Sequence, residues 1–256
     1  MSINNKTEEE IEKEYPYLYD MHLHTNVASA CGKASPEDMA RACKEYGYTG
    51  IVVTDHNWGW NTCIDEWLLV REFDKWIDAY AMGYYRAKKV GDEIGLDVFF
   101  GMEAGFNGTE FLIYGLTPDF FKSHPEFRDA KITEWIDIVH KGGGIVSHAH
   151  PFREERYIPE VRLFPESVDA IEGVNATHTG DRSDHKVNPL FDVRAREYAK
   201  KLGLPMTGGT DVHKTEIIGG GIRAKSRILN NENLVSLIKS GRDYVLYDTK
   251  RYYLPK

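Results

Sequence analysis

Five short apolar stretches of this chain each end in histidine or carboxylate: Asp20, His22 and His24; Asp55 and His56; Glu103; His148 and His150; Asp211 and His213. Apolar runs of this length read as buried strands, so the polar side chains that follow them belong at one end of a sheet. Imidazole and carboxylate together make a divalent-metal ligand set. The fold must therefore bring several strand ends together, far apart as they are in sequence.

The candidate strands are 18–21, 50–54, 97–101, 111–116, 144–147, 168–174 and 204–207, with a short one at 244–247. Helical patterns separate several of them. Ser35-Pro36-Glu37-Asp38 is a helix start, with a serine cap, proline in the first turn and an acid at the third position, and Gly47 supplies the stop. Further helices are expected at 64–89 with an interruption, 130–140 before Gly142 and Gly143, 189–201 before Gly203, and 232–239 before Gly241. Strands alternating with helices predict an α/β fold with a largely parallel sheet. With no long linker, one closed or nearly closed barrel is expected over 16–256, preceded by a polar extension, 1–15. The aromatic series Trp58, Trp60, Trp67, Phe73, Trp76, Tyr80, Tyr84 and Tyr85 falls mostly at helical spacing and reads as helix packing before ligand contact.

A net charge of -8 argues against a broad nucleic-acid surface, but not against a small anionic substrate, because bound cations reverse the field inside one pocket. Cys31, Cys43 and Cys63 show no CxxC spacing and no disulfide framework. The first residues lack a secretory signal, and no apolar run approaches the roughly 18 residues of a membrane span. A soluble protein of the reducing cytoplasm is the expectation.

Several segments resemble one family when taken in order: Asp20-Met-His-Leu-His24, Ile51-Val-Val-Thr-Asp-His56, Gly101-Met-Glu103, Ala149-His-Pro-Phe-Arg153, Ile171-Glu-Gly-Val-Asn175 and Gly208-Gly-Thr-Asp-Val-His213. The resemblance is to the polymerase and histidinol phosphatase (PHP) family, and it runs from about Tyr19 to Gly241. It implies a distorted (β/α)7 barrel and two or three divalent ions (manganese, zinc or iron) used in phosphoester hydrolysis. By the same resemblance, His22, His24, Glu103 and Asp211 hold one ion, Glu103 bridges to a second served by His150, and His56 and His213 belong to a third.

Two positions blur the pattern. Cys31 stands in a loop where relatives carry an acid or histidine. It either gives a thiolate to the third ion, which would favour zinc, or has no metal role. The histidine completing the second ion's set is His124 or His140, with His124 preferred because His140 closes a helix. Asp20 and Asp55 are expected to orient histidine rings, with direct ligation as the alternative. His148 is a spare ligand or a supporting group, and His178 and His185 read as ordinary loop residues.

The resulting expectation is a phosphoesterase acting on a small phosphorylated metabolite or nucleotide through metal-activated water. Glu103 and Asp211 serve at the reaction centre. Arg153 grips outer phosphate oxygens with its planar fork or, alternatively, pairs at the surface with Glu154 or Glu155. Lys33, Arg156, Arg182 and Lys214 are lesser candidates. Asn175 positions a loop, binds substrate or caps a turn. Competing readings are histidinol phosphatase and a metal-stabilised interaction module without turnover. Oligomeric state is left open.

Overall fold

In the computed structural model, which describes residues 3, 6–179, 187–249 and 251–256, the first site-bearing segment is β1 (Tyr17–Leu23), buried along nearly all its length. It is followed by β2 (Gly50–Val53), β3 (Asp97–Phe106), β4 (Thr109–Tyr114), β5 (Ile145–His148), β6 (Ala170–Asn175), β7 (Met206–Gly209), β8 (Gly220–Ala224), β9 (Tyr244–Asp248) and β10 (Arg251–Tyr253). All lie in one sheet of order β10-β9-β8-β1-β2-β3-β4-β5-β6-β7. The sheet curls until the chain beyond β7 meets the second half of β1. There Asp211 N–H donates to His22 O at 2.8 Å and His24 N–H to Val212 O at 3.0 Å. The first half of β1 pairs instead with β8. The result is an α/β fold with a distorted, barrel-like sheet.

The sheet is mixed, which corrects the expectation of a largely parallel one. β1-β2, β2-β3, β5-β6 and β6-β7 run parallel. β4 runs against both its neighbours, and β8, β9 and β10 add an antiparallel flank. The cause at β4 is local. Asn107 and Gly108 adopt positive φ values of 51° and 82°, the backbone of the tight Asn-Gly hairpin turn. Glu103 thus lies inside a long strand rather than at its end.

Eight α-helices are described: α1 (Glu8–Glu14), α2 (Pro36–Tyr46), α3 (Glu66–Arg71), α4 (Phe73–Ile94), α5 (Pro118–Lys122), α6 (Ile132–Lys141), α7 (Leu190–Leu202) and α8 (Asn231–Ser240). α2 starts and stops as its sequence predicts, with Ser35 Oγ accepting the Asp38 N–H and Gly47 in the left-handed region. The expected interruption of the 64–89 helix falls at Glu72, between α3 and α4. The polar extension is partly helical: Thr7 and Glu10 form a capping box on α1, and Glu12 pairs with Arg223.

Trp76, Trp135, Phe111, Phe121 and Phe127 are fully buried core side chains, each contributing about 1.5–3 kcal/mol by removal from water. Trp58 meets Phe73, Trp76 and Phe127 edge-on, so this part of the aromatic series is core. α4 carries Gly83 where a Cβ would stand 2.6 Å from Asp55 Oδ2 and 2.8 Å from Thr25 Oγ1. A glycine in mid-helix costs helix stability but permits this approach to the site. Among the described residues no helix is long and apolar enough to cross a membrane.

Candidate metal centre

Glu103 is the hub. One oxygen, Oε1, lies 3.2 Å from His22 Nε2 and 3.2 Å from His150 Nε2. The other, Oε2, lies 3.3 Å from His24 Nε2 and 3.0 Å from His56 Nδ1. Asp211 Oδ1 approaches His24 Nε2 at 3.2 Å, His22 Nε2 at 3.5 Å and His213 Nε2 at 3.9 Å. Metal-ligating atoms come within 4.8 Å of one another in four overlapping groups: His22, His24 and Glu103; His22, His150 and Asp211; His56, Glu103 and Glu110; and His24, Cys31, His56 and His213. Cys31 thus stands among histidines in the structure. A cavity of about 190 Å3 is lined by Cys31, His56, Glu103, Glu110, His150, Asp211 and His213, with Arg153, Trp60 and Tyr157 also in its wall.

The backbone makes this convergence by close approach and by strain. A Cβ on Gly209 would fall 2.3 Å from His22 Cβ, so only glycine lets β7 lie against β1 here. Asp211 and His150 are non-glycine residues with φ of 59° and 26°, a left-handed conformation that costs of order 1–3 kcal/mol and concentrates at functional sites. The His150 N–H donates to Glu172 Oε2 at 2.9 Å, which holds that turn.

A second ring of groups fixes the first. His22 Nδ1 pairs with Glu172 Oε1 at 2.8 Å. His24 Nδ1 meets Ser29 Oγ at 2.9 Å, and Ser29 Oγ–H donates to Asp55 Oδ1 at 2.7 Å. Such partners set the tautomer and the aim of a ligating ring. Asp55 therefore acts on His24 through Ser29. Asp20 differs from expectation: its Oδ1 accepts backbone N–H groups of His22 and Thr210, bracing β1 against the β7 loop rather than orienting a ring. Asn175 Nδ2 donates to Glu172 Oε2 and Asp211 Oδ2, both at 3.2 Å, so it braces carboxylates instead of facing open cavity. Arg153 is buried and donates to Asp211 Oδ2 at 2.5 Å, which excludes surface pairing with Glu154 or Glu155 as its main contact.

Burial alone would push the Glu103 and Asp211 carboxyls up, but the facing His22, with His56 at Glu103 and Arg153 at Asp211, holds both well below the usual carboxylate range. Burial would discharge His22 and His24, yet Asp211 and Glu103 raise them, His24 to about 9. Burial, aided by Glu103, pushes Glu110 up to about 8. His56 and His150 are lowered by burial. The centre is a set of acids whose charge demands cations. Divalent ions fit it: buried Glu103 Oε2 and His56 Nδ1 face each other at 3.0 Å without hydrogen-bond geometry, and His22 Nε2 faces His24 Nε2 at 3.1 Å. Two ring nitrogens so opposed suit a shared ion, since both present lone pairs to it when neutral.

Other expectations are corrected. His124 is not brought to the cluster; its ring stacks on Phe120 at 4.1 Å and its Nδ1 bonds to Phe120 O at 2.8 Å, a helix-end contact. His140 pairs with Asp169 at 2.7 Å, also outside the groups. The side chain that stands beside Glu103 and His150 is Glu110, 3.6 Å from His150 Nε2 and 3.8 Å from His56 Nδ1. The Asn-Gly pair could have revealed it, because a hairpin there sets Glu110 opposite Gly105 and on the face of Glu103. His148 packs on Phe111, and burial lowers it to about 3, so it stays neutral. His178 is buried rather than an ordinary loop residue. His185 and Arg182 lie outside the described residues.

The PHP domain family profile matches residues 20–241. No curated protein matches the sequence. A two-domain protein from Bacteroides vulgatus, containing a predicted PHP-like metal-dependent phosphoesterase, superposes with a TM-score of 0.67 at 14% identity, over 92% of this chain and 66% of its own. PsfC from Pseudomonas syringae gives 0.54 at 16% identity over 86% of this chain and 88% of its own. An amidohydrolase from Chromobacterium violaceum, solved with bound sulfate and no metal, gives 0.52 at 12% identity over 78% and 89%. At such identities the likeness to these structures is one of fold.

Proposed function

Because the chain belongs to the PHP domain family, a metal-dependent phosphoesterase-like family, we propose that it hydrolyses a small phosphorylated metabolite or nucleotide. The observation that carries this reading is the meeting of His22, His24, His56 and His150 on the two oxygens of Glu103. Divalent ions bound there would neutralise phosphate oxygens and lower the pKa of water to yield a nucleophile. His22, His24, Glu103 and Asp211 would hold one; Glu103, Glu110 and His150 a second; Cys31, His56 and His213, beside His24, a third.

The protein's own groups divide the remaining work. Arg153, in the cavity wall, offers guanidinium N–H groups to phosphate oxygens while it neutralises Asp211. Asn175 keeps Asp211 and Glu172 aimed. Glu172 and Ser29 hold the rings of His22 and His24, so the ligand set is formed before substrate arrives. A cavity of about 190 Å3 supports a phosphate and the first atoms of its ester, with the leaving group passing Trp60 and Tyr157. That size and the charge of -8 support a small substrate over extended nucleic acid. The nitrogen and oxygen donors suit zinc, iron or manganese, and a Cys31 thiolate would favour zinc at the third site. All three cysteines are free thiols, which supports a reducing, cytoplasmic setting.

The test is a panel of phosphomonoesters and diesters, histidinol phosphate included, given to metal-loaded and chelated protein. Metal-dependent turnover of at least one small ester is expected. Bound metal with no turnover across the panel would contradict the reading and favour an interaction module.

A further inference from the structure

Among the buried titratable side chains outside the ligand set are His178, 1% exposed, and Asp192, 2% exposed. They come from different elements, His178 from a short 3-10 turn after β6 and Asp192 from the first turn of α7. His178 Nδ1 lies 2.6 Å from Asp192 Oδ1, and Arg153 Nε lies 3.0 Å from His178 Nε2. Arg153 Nη2 continues the line to Asp211 Oδ2 at 2.5 Å, with Thr177 Oγ1 at 3.4 Å. Asp192 Oδ2 accepts the Asn175 N–H at 3.1 Å, tying the far end of the line to the same carboxylate brace.

The donors and acceptors permit one arrangement. Arginine Nε carries a hydrogen and has no lone pair, so His178 Nε2 must accept. The ring hydrogen then sits on Nδ1, and Asp192 Oδ1 accepts it. An imidazolium would set N–H against N–H and place a second cation beside the guanidinium. Buried hydrogen bonds of this kind rank among the more costly to break, because each leaves a polar group unpaired.

We infer that His178 and Asp192 are positioning residues: Asp192 fixes the tautomer of His178, and His178 holds Arg153 by its Nε, turning the Nη edge toward Asp211 and the cavity. The inference rests on the proposed phosphate contact of Arg153. It assigns α7 a part in the site although α7 supplies none of the proposed metal ligands. Without His178 the guanidinium would keep Asp211, the longer contact to Thr177 and the neighbouring Tyr157, but its Nε would lose its acceptor, and phosphate would have to complete the ordering.

The experiment compares His178→Asn with His178→Gln in metal-loaded protein. An asparagine amide can imitate Nδ1 and keep Asp192 satisfied but falls short of Arg153, whereas a glutamine carbonyl can imitate Nε2 and accept the Arg153 N–H. KM for p-nitrophenyl phosphate and the Kd of inorganic phosphate, from calorimetry, are measured together with metal content and thermal unfolding. H178N is expected to weaken phosphate binding and raise KM by about tenfold or more, to change kcat less, and to keep its metal. H178Q is expected to recover part of that loss. H178N binding phosphate as tightly as the wild type would overturn the inference and leave the function standing; so would equal losses in both variants that track loss of metal or of folding. Wild-type protein that neither binds phosphate nor hydrolyses the ester would overturn the proposed function and this inference with it.

Discussion

Asp211 joins the two halves of the site: it takes a left-handed backbone, approaches His22 and His24 through Oδ1, and receives Arg153 and Asn175 on Oδ2. Asp211→Ala is expected to lower bound metal and to reduce hydrolysis of an aryl phosphate by at least about 100-fold, more than loss of a supporting partner costs. Metal analysis and kinetics on the same preparation check this, and full activity with full metal content would refute the assignment. Glu110→Gln keeps the shape but cannot ionise beside Glu103 and His150, where burial keeps the Glu110 carboxyl protonated up to about 8 until an ion displaces its proton. At least about 10-fold lower affinity for the second ion is expected, read by titrating metal into stripped protein. Residues such as His22, His56 and Asp211 were legible because each closes or follows an apolar run. Glu110, Glu172 and His178 were not: each reads as ordinary polar sequence until the fold brings distant partners to it, and His124 misled because it was preferred only on the ground that its rival, His140, closes a helix.

At the scale of elements, parallel strands and their helices were legible from apolar runs, caps and glycine stops. β8 was not, because Gly220 and Gly221 weaken its strand signal and their purpose, close passage against Gly209 and Tyr19, is tertiary. The β7-β1 contact yields a direct expectation. Gly209→Ala should force the strands apart, lowering stability by about 1–3 kcal/mol and costing metal as well. Unfolding midpoints and metal content of the variant check both; an unchanged pair would show the contact to be compliant. α6 is tied to the start of β6 by His140 and Asp169, and Asp169 raises the pKa of His140. A raised folded-state pKa means the tie stabilises fully below the unfolded value, about 6.5, and fades as pH rises through the folded one. His140→Gln should therefore lower the unfolding midpoint more at pH 6 than at pH 9. The effect is small because His140 is partly exposed; an equal loss at both pH values would dismiss the charge.

For the whole molecule, ions that bind only the folded chain add stability by mass action. At a hundredfold excess over Kd the gain is about 2.7 kcal/mol for one site, or roughly 5–10 °C in the unfolding midpoint of a chain this size. The curled sheet exists to bring β1, β2, β3, β5 and β7 to one place, so folding and ion binding should rise and fall together. The most direct measurement strips the protein with chelator, restores zinc or manganese in steps, and records ions bound per chain and p-nitrophenyl phosphate hydrolysis in the same samples. No turnover is expected in the stripped protein, and turnover should appear only as the second site fills. Undiminished hydrolysis without metal, or filled sites with no hydrolysis of any phosphate ester, would contradict metal-dependent catalysis at this centre.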